Sequence, residues 1–351
     1  MNKTARALFA LVALMLLCGA LCGCDAIGNG VIKENPGEEH IPDVDPQAGV
    51  ARDMKVKLFY RLTDEPYLVG VTGTVTVLSG ERPEKAIVRA LIAGTPPLSN
   101  NISPLFPDGT AVADAALDGA ILYVTLSGDF FSTTLVDEAV ADGTRLLNSS
   151  LIGRAEYEKR VDAAREEMFQ RRRLAVASIA NSVADYNPGA RVQLLFERGG
   201  AAVRVTRAEL GLEGHSQNGN DLLEPIGPDD TLLATPEIVT ECALKRISRG
   251  EYEKAYDLVA ETESGGAQKP DYANFETELA AFGTLTAYTV KGSAISEDNA
   301  YAYVTVDVLV RESGSGRDRR QRNVSLTLKN EGNIYKIGYR SLIAILGGTA
   351  S

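Results

Sequence analysis

Apolar positions along this chain change period several times, and each change marks an element. Lys55-Val56-Lys57-Leu58-Phe59-Tyr60 alternates and predicts a strand, and Tyr67 to Leu78, rich in Val and Thr, predicts one or two more. Pro83 stands at a helix start; Ala86, Ile87, Ala90 and Leu91 share one face, and Gly94 closes the pattern. Ala111 to Ala116 and Ala120 to Leu126 read as strands joined around Asp118-Gly119, a hairpin signal. Val161, Ala164, Met168, Ala175, Ile179 and Val183 recur at three-, four- and seven-residue steps and predict a long amphipathic helix, stopped by Pro188-Gly189. Val192 to Phe196 is a strand, Gly199-Gly200 a turn, and Ala202 to Val205 its return. The order β-β-α-β-β-α-β-β predicts an α+β domain over 53–213, with helices packed on one sheet.

Residues 214–234 are polar and rich in Gly, Asn and Pro, which predicts an interdomain linker. A second pattern occupies 235–346. Thr235-Pro236-Glu237 is an N-cap with proline at the first helical position, and Ile238, Cys242, Leu244 and Ile247 form the apolar face behind it. Tyr252 to Val259 and Asn274 to Phe282 predict two more helices. Strands follow: Ala300, Ala302, Val304, Val306, Val308 and Val310 alternate with Tyr301, Tyr303, Thr305, Asp307 and Leu309, then Val324 to Lys329 and Ile334 to Tyr339.

The first residues carry a different pattern. Lys3 and Arg6 precede an apolar run from Ala7 to Cys22, short for a bilayer span but fit for the apolar region of a secretory signal. Leu21-Cys22-Gly23-Cys24 resembles the lipobox of bacterial lipoproteins. That resemblance implies a signal peptide over 1–23, diacylglycerol and palmitate-type acylation at Cys24, and a lipid-anchored position on the extracytoplasmic face of the cell membrane. Residues 24–52, acidic with Pro and Gly, read as a disordered tether.

Composition sharpens this reading. The 351 residues hold 47 acidic against 36 basic side chains, a net −11, which argues against a nucleic-acid partner. Loss of Lys3 and Arg6 with the signal leaves −13. Of four cysteines, Cys18 and Cys22 leave with the signal and Cys24 is acylated. Cys242 alone remains, without a disulfide framework, and reads as a buried apolar side chain.

The first domain resembles a GerMN domain, the module of sporulation and spore-germination lipoproteins. The residues that carry the resemblance are Val56-Lys57-Leu58-Phe59-Tyr60, the helix Pro83 to Gly94 with Thr95-Pro96, and the loop Ser103-Pro104-Leu105-Phe106-Pro107-Asp108-Gly109-Thr110. Leu122 to Phe130 and Val192-Gln193-Leu194-Leu195-Phe196 complete it. Two departures are a charged insertion between Phe131 and Leu174 and the single copy. Three helices followed by a curled antiparallel sheet resemble the nuclear-transport-factor-2-like (cystatin-like) α+β cone. Together the resemblances imply a non-enzymatic envelope assembly module of sporulation or germination. Its partners would be envelope or sporulation proteins, or a second copy of the chain. The alternative is a protein that binds or processes peptidoglycan fragments through the cone, whose mouth Tyr252, Tyr256, Tyr288, Tyr301 and Tyr303 would line.

Chemistry-bearing motifs are sparse. Two histidines, His40 and His215, fall in the tether and the linker. No HExxH, CxxC, GxSxG or phosphate-binding loop occurs, so no catalytic residue, cofactor or metal is expected. Asp129, after the strand in Leu126-Ser127-Gly128-Asp129-Phe130, is the polar residue of the family-like motif; it reads as a turn residue or a binding contact. Arg171-Arg172-Arg173 lie on the long helix. Arg317, Arg319, Arg320 and Arg322 crowd a predicted hairpin with Arg311. These clusters either pair with neighbours such as Glu166, Glu167, Glu312 and Asp318, or face anionic headgroups and wall polymers.

Overall fold

The alternating segment at the start of the folded region forms β1 (Arg52–Leu62), antiparallel to β2 (Leu68–Val77) and, at its end, to the short β3 (Ile102–Ser103). These elements come from a computed structural model that describes residues 50–94, 101–212, 221–263 and 265–347, all within the compact unit 49–351. The signal, Cys24, the tether, His40, Thr95-Pro96 and His215 lie outside the described residues.

Helix α1 (Pro83–Ala93) opens on its proline and closes at Gly94 as the pattern predicts. A second sheet then forms from β4 (Val112–Asp118), β5 (Ile121–Leu126), β6 (Arg191–Arg198) and β7 (Ala201–Val203), in the order β4-β5-β6-β7. Strands β5 and β6 are parallel, because α2 (Thr134–Asn148) and α3 (Arg154–Tyr186) carry the chain back across the layer between them.

The single sheet expected for this region is therefore two. The reason is visible on β1. Beyond its short pairing with β3, its free side meets α3 rather than another strand. Ser182 Oγ accepts from Phe59 N at 3.0 Å, and Ser178 Oγ donates to Phe59 O. Two serines one helical turn apart thus satisfy both backbone groups of Phe59, where the helix takes the place of a further strand. The charged insertion is a helical hairpin, α2 packed on the exposed first half of α3. Gly143 allows the approach, since a Cβ there would stand 2.8 Å from the Tyr157 ring.

The second half contains α4 (Pro236–Ser248), α5 (Tyr252–Tyr256), α6 (Tyr272–Phe282), and then β8 (Thr284–Ile295), β9 (Tyr301–Arg311), β10 (Asp318–Glu331), β11 (Ile334–Ile337) and α7 (Tyr339–Gly347). Thr235 and Asp271 cap α4 and α6 with their side chains. The four strands form an antiparallel sheet, β11-β10-β9-β8. Its inner face, Ala302, Val304, Val306, Val308, Val310, Leu326 and Leu328, is buried against the helices through Phe275, Leu279, Leu342 and Ile345. Register shifts at Leu285/Ala287, Val290/Gly292 and Gln321/Val324 curl it. At the entry to β8, Gly283 has φ +112°, and a Cβ would fall 2.0 Å from Arg311 O, so only glycine fits.

Two cores result, one per half, and the β1–β2 hairpin belongs to both. Val56, Leu58 and Tyr60 pack in the first core, whereas Leu62 and Val69 pack in the second. The described part of the linker is fastened down: Ile226 exchanges backbone hydrogen bonds with Val192 at 2.7 and 2.9 Å, and Ala234 N donates to Leu68 O at 2.8 Å.

Candidate functional site

A groove in the first half and the hairpin turn that joins the halves each combine concavity or burial with charge. The groove is built on the turn Pro107-Asp108-Gly109-Thr110. Thr110 N and Oγ1 both donate to Pro107 O, at 3.2 and 2.7 Å, and Gly109 supplies the positive φ, +81°, that the third position requires. Asp129 stands behind this turn. It is exposed; its carboxylate lies 3.2 Å from the Ser127 hydroxyl, and Ser127 Oγ accepts from Ala111 N at 3.0 Å. A Cβ on Gly109 would reach 3.4 Å from the Asp129 carboxyl carbon. Asp129 therefore fastens the loop and does not face the groove.

The next residue does. Phe130 is fully buried, with ring centroids 6.3 Å from Phe106, 5.4 Å from Phe131 and 5.1 Å from Phe196. This aromatic cluster floors a cavity of about 300 Å³, walled by Pro104, Leu105 and Phe106 on one side and by Leu135, Met168 and Arg172 on the other.

Arg172 is the residue that the sequence did not separate from its neighbours. Arg171 and Arg173 pair along α3 with Glu167 at 2.7 Å and Glu166 at 2.9 Å, as a solvated helix face would. Arg172 is 7% exposed and has no carboxylate ion-paired to it among the described residues. Its guanidinium donates to three carbonyls, Phe131 O at 2.9 Å, Ser132 O at 3.3 Å and Glu209 O at 3.3 Å, and lies 5.2 Å from the Phe131 ring centroid. Its Nε carries no hydrogen bond. Burial pulls its pKa down, and the charge of Glu209 partly offsets that. A buried cation with no carboxylate hydrogen-bonded to it is suited to pair with an anionic group of a ligand.

The hairpin turn carries the second charged cluster. Glu65, 4% exposed, receives Arg246 Nε at 3.2 Å and Lys245 Nζ at 3.2 Å, both from α4. Arg246 also donates to Thr63 O at 2.6 Å and Lys254 O at 2.7 Å. On the other side, Arg61 Nε donates to Glu65 O at 2.9 Å, and its guanidinium forks onto Glu167 of α3. Burial alone would raise the Glu167 carboxyl; hydrogen bonds from Arg61 and Arg171 outweigh it and hold the group below the ordinary carboxylate range. The network therefore runs from α3 through the hairpin into α4.

Cys242 lies beside it, buried, its thiol pushed up to about 12 by burial and then by the Glu65 charge. A thiol so placed stays protonated and is a packing group, not a nucleophile. The tyrosines expected at a cone mouth do not converge. Tyr252, Tyr256 and Tyr288 pack against the second core, while Tyr303 is exposed on the other face of β9. The arginine hairpin separates as well. Arg319, with Gln321, donates to the last carbonyls of α7 (Ile345, Leu346, Gly347) and so caps that helix. Arg311 pairs with Asp318 at 3.1 Å. Arg317, Arg320 and Arg322 have no ion-pair partner among the described residues. No group of three or more His, Cys, Asp or Glu among the described residues could hold a metal, and no described helix is long and apolar enough to cross a membrane.

Comparison with known proteins bears on the groove. Residues 57–152 match the family model described as Germane, sporulation and spore germination. The matched stretch contains Leu105, Phe106, Phe130 and Leu135; Met168 and Arg172 lie beyond it. The chain therefore carries a GerMN-like domain. Among solved structures it is similar to the tandem GerMN domains of the sporulation protein GerM from Bacillus subtilis, at 12% identity and a TM-score of 0.28. That similarity covers 54% of this chain and spans half the length of the other, and at this TM-score it carries no argument about overall arrangement. No curated protein matches the chain.

Proposed function

We propose that this protein is a lipid-anchored, non-enzymatic assembly module of the bacterial envelope that acts in sporulation or spore germination. The observation that carries the reading is the Germane match over 57–152. The lipobox-like Leu21-Cys22-Gly23-Cys24 adds the anchor at Cys24. The second half serves as a cystatin-like cone with a filled interior: Phe275, Val304, Val306 and Leu326 are all fully buried. Its helices grip the GerMN-like hairpin through Glu65 and Arg246.

The groove's partner is an envelope protein that presents an apolar side chain next to a carboxylate. Leu105, Phe106, Phe130 and Met168 suit the first, and Arg172, which lacks a carboxylate of its own, suits the second. Deletion of the gene in its native host is expected to lower the titre of heat-resistant spores or to slow their germination, and the wild-type gene restores both. Labelled palmitate is expected in the wild-type protein and absent from Cys24→Ala. Normal spores in the deletion strain contradict the role; an unlabelled wild-type protein contradicts the anchor alone.

A further inference from the structure

The outer face of the C-terminal sheet holds a second concavity, far from the groove in sequence and built differently. It is an open depression of about 450 Å³ over β8, β9 and β10, with Ala287 and Leu309 among its apolar residues and Lys291, Asp307, Arg320, Arg322 and Asn323 around them. Strand alternation places Arg320, opposite Leu309, and Arg322, two residues further on, on this face. The register shift between Gln321 and Val324 adds one residue to β10, so that Arg322 and Asn323 together oppose Asp307. Asn323, at φ +54°, holds the bulge: its N donates to Asp307 Oδ1 at 2.7 Å, and its own Oδ1 accepts from Lys291 Nζ at 2.6 Å.

The charges do not cancel. Lys291 and Asp307 pair at 2.7 Å. Among the described residues, Arg320 and Arg322 have neither an ion pair nor a hydrogen bond, and three cations against the one carboxylate of Asp307 leave the depression a net +2 on a chain of net −11. Each guanidinium offers five N–H donors, and Lys291 keeps one of its three. That donor set exceeds what a carboxylate's two oxygens can accept and suits a phosphate's tetrahedral array. Arg319, immediately before Arg320, points to the opposite face and caps α7, so the same strand separates a structural arginine from two that make no such bonds.

We propose that this depression is a binding site for a phosphate oxyanion, held between Arg320 and Arg322 with Lys291 beside them. The phosphoryl group could come from an anionic phospholipid headgroup or from a soluble phosphate, and the two sources separate in one experiment. Acyl-free Cys24→Ala protein is titrated with inorganic phosphate at low ionic strength by calorimetry. The same protein is floated with vesicles of phosphatidylglycerol and phosphatidylcholine, against phosphatidylcholine alone. Saturable binding of phosphate, of phosphatidylglycerol vesicles or of both is expected, weakened about tenfold or more in Arg320→Gln/Arg322→Gln. The variant's unfolding midpoint should match the parent, because neither side chain has a partner to lose. Binding to the vesicles alone assigns the site to a lipid headgroup; binding of phosphate assigns it to a soluble group. Failure of both ligands, acetate binding as tightly as phosphate, or binding unchanged in the double variant overturns the proposal.

Discussion

Glu65→Ala is expected to destabilise the folded chain by about 3–5 kcal/mol, the cost of leaving a buried charge without its partner. Arg246 would lose the carboxylate at 3.2 Å while remaining 3% exposed, and Lys245 would lose its contact too. Arg246→Ala is expected to cost as much, since it strands Glu65 and the carbonyls of Thr63 and Lys254. Replacing both by methionine should bring stability back to within about 1–2 kcal/mol of wild type, because two apolar chains need no partner. The Lys254–Asp64 pair at 2.8 Å provides the contrast. Both side chains are about half exposed, so Lys254→Ala should change stability by under about 1 kcal/mol. Urea unfolding followed by circular dichroism checks all four. Equal, small effects for Glu65→Ala and Lys254→Ala would show that the hairpin is not clamped by this network.

Phe130→Ala is expected to cost about 3–5 kcal/mol, since a fully buried ring with three aromatic neighbours leaves a cavity its surroundings cannot fill. Phe130→Leu should cost about 1–1.5 kcal/mol, because most of the volume is kept. Asp129→Ala, one residue away, removes only an exposed contact to Ser127 and should stay within about 0.5 kcal/mol. The same urea titration reads this series, and the order Phe130→Ala, Phe130→Leu, Asp129→Ala is the expected result. A larger loss at Asp129 than at Phe130→Leu would contradict the placement of the two residues.

Much of the framework was legible because local periodicity decided it. The strand at Val56–Tyr60, the helix from Pro83 to Gly94, the capped helix after Thr235 and the alternation from Ala300 to Val310 all occur where the pattern puts them. Strand β8 was not legible, since bulges at Leu285/Ala287 and Val290/Gly292 break the two-residue period that reveals a strand. Helix α7 was missed because Ile334 to Tyr339 read as one strand, whereas the chain turns at Gly338. The split into two sheets depends on Ser178 and Ser182, which read as ordinary small residues until a strand is placed against them.

The site residues divide in the same way. Asp129 was visible from its motif but serves the loop. Arg172 was hidden inside Arg171-Arg172-Arg173, where periodicity alone could have singled it out. Leu174 to Val183 lie almost wholly buried, and of the three arginines only Arg172 shares that burial. Arg320 and Arg322 were named with Arg317 and Arg319; alternation along β10 puts them on the face opposite Arg319, and the contacts of Arg319 with α7, far away in sequence, separate its role from theirs. Glu65 gave no signal, because its partners Lys245 and Arg246 lie 180 and 181 residues away.

The central claim is that the groove of the GerMN-like domain mediates an envelope contact needed for sporulation or germination. It is tested most directly by the heat-resistant spore titre of a strain whose only copy carries Leu135→Glu and Met168→Glu, both half-buried positions on the groove wall. With the variant present at wild-type level and its unfolding free energy within about 1 kcal/mol of wild type, the titre is expected to fall to that of the deletion strain. A titre equal to wild type would contradict the claim.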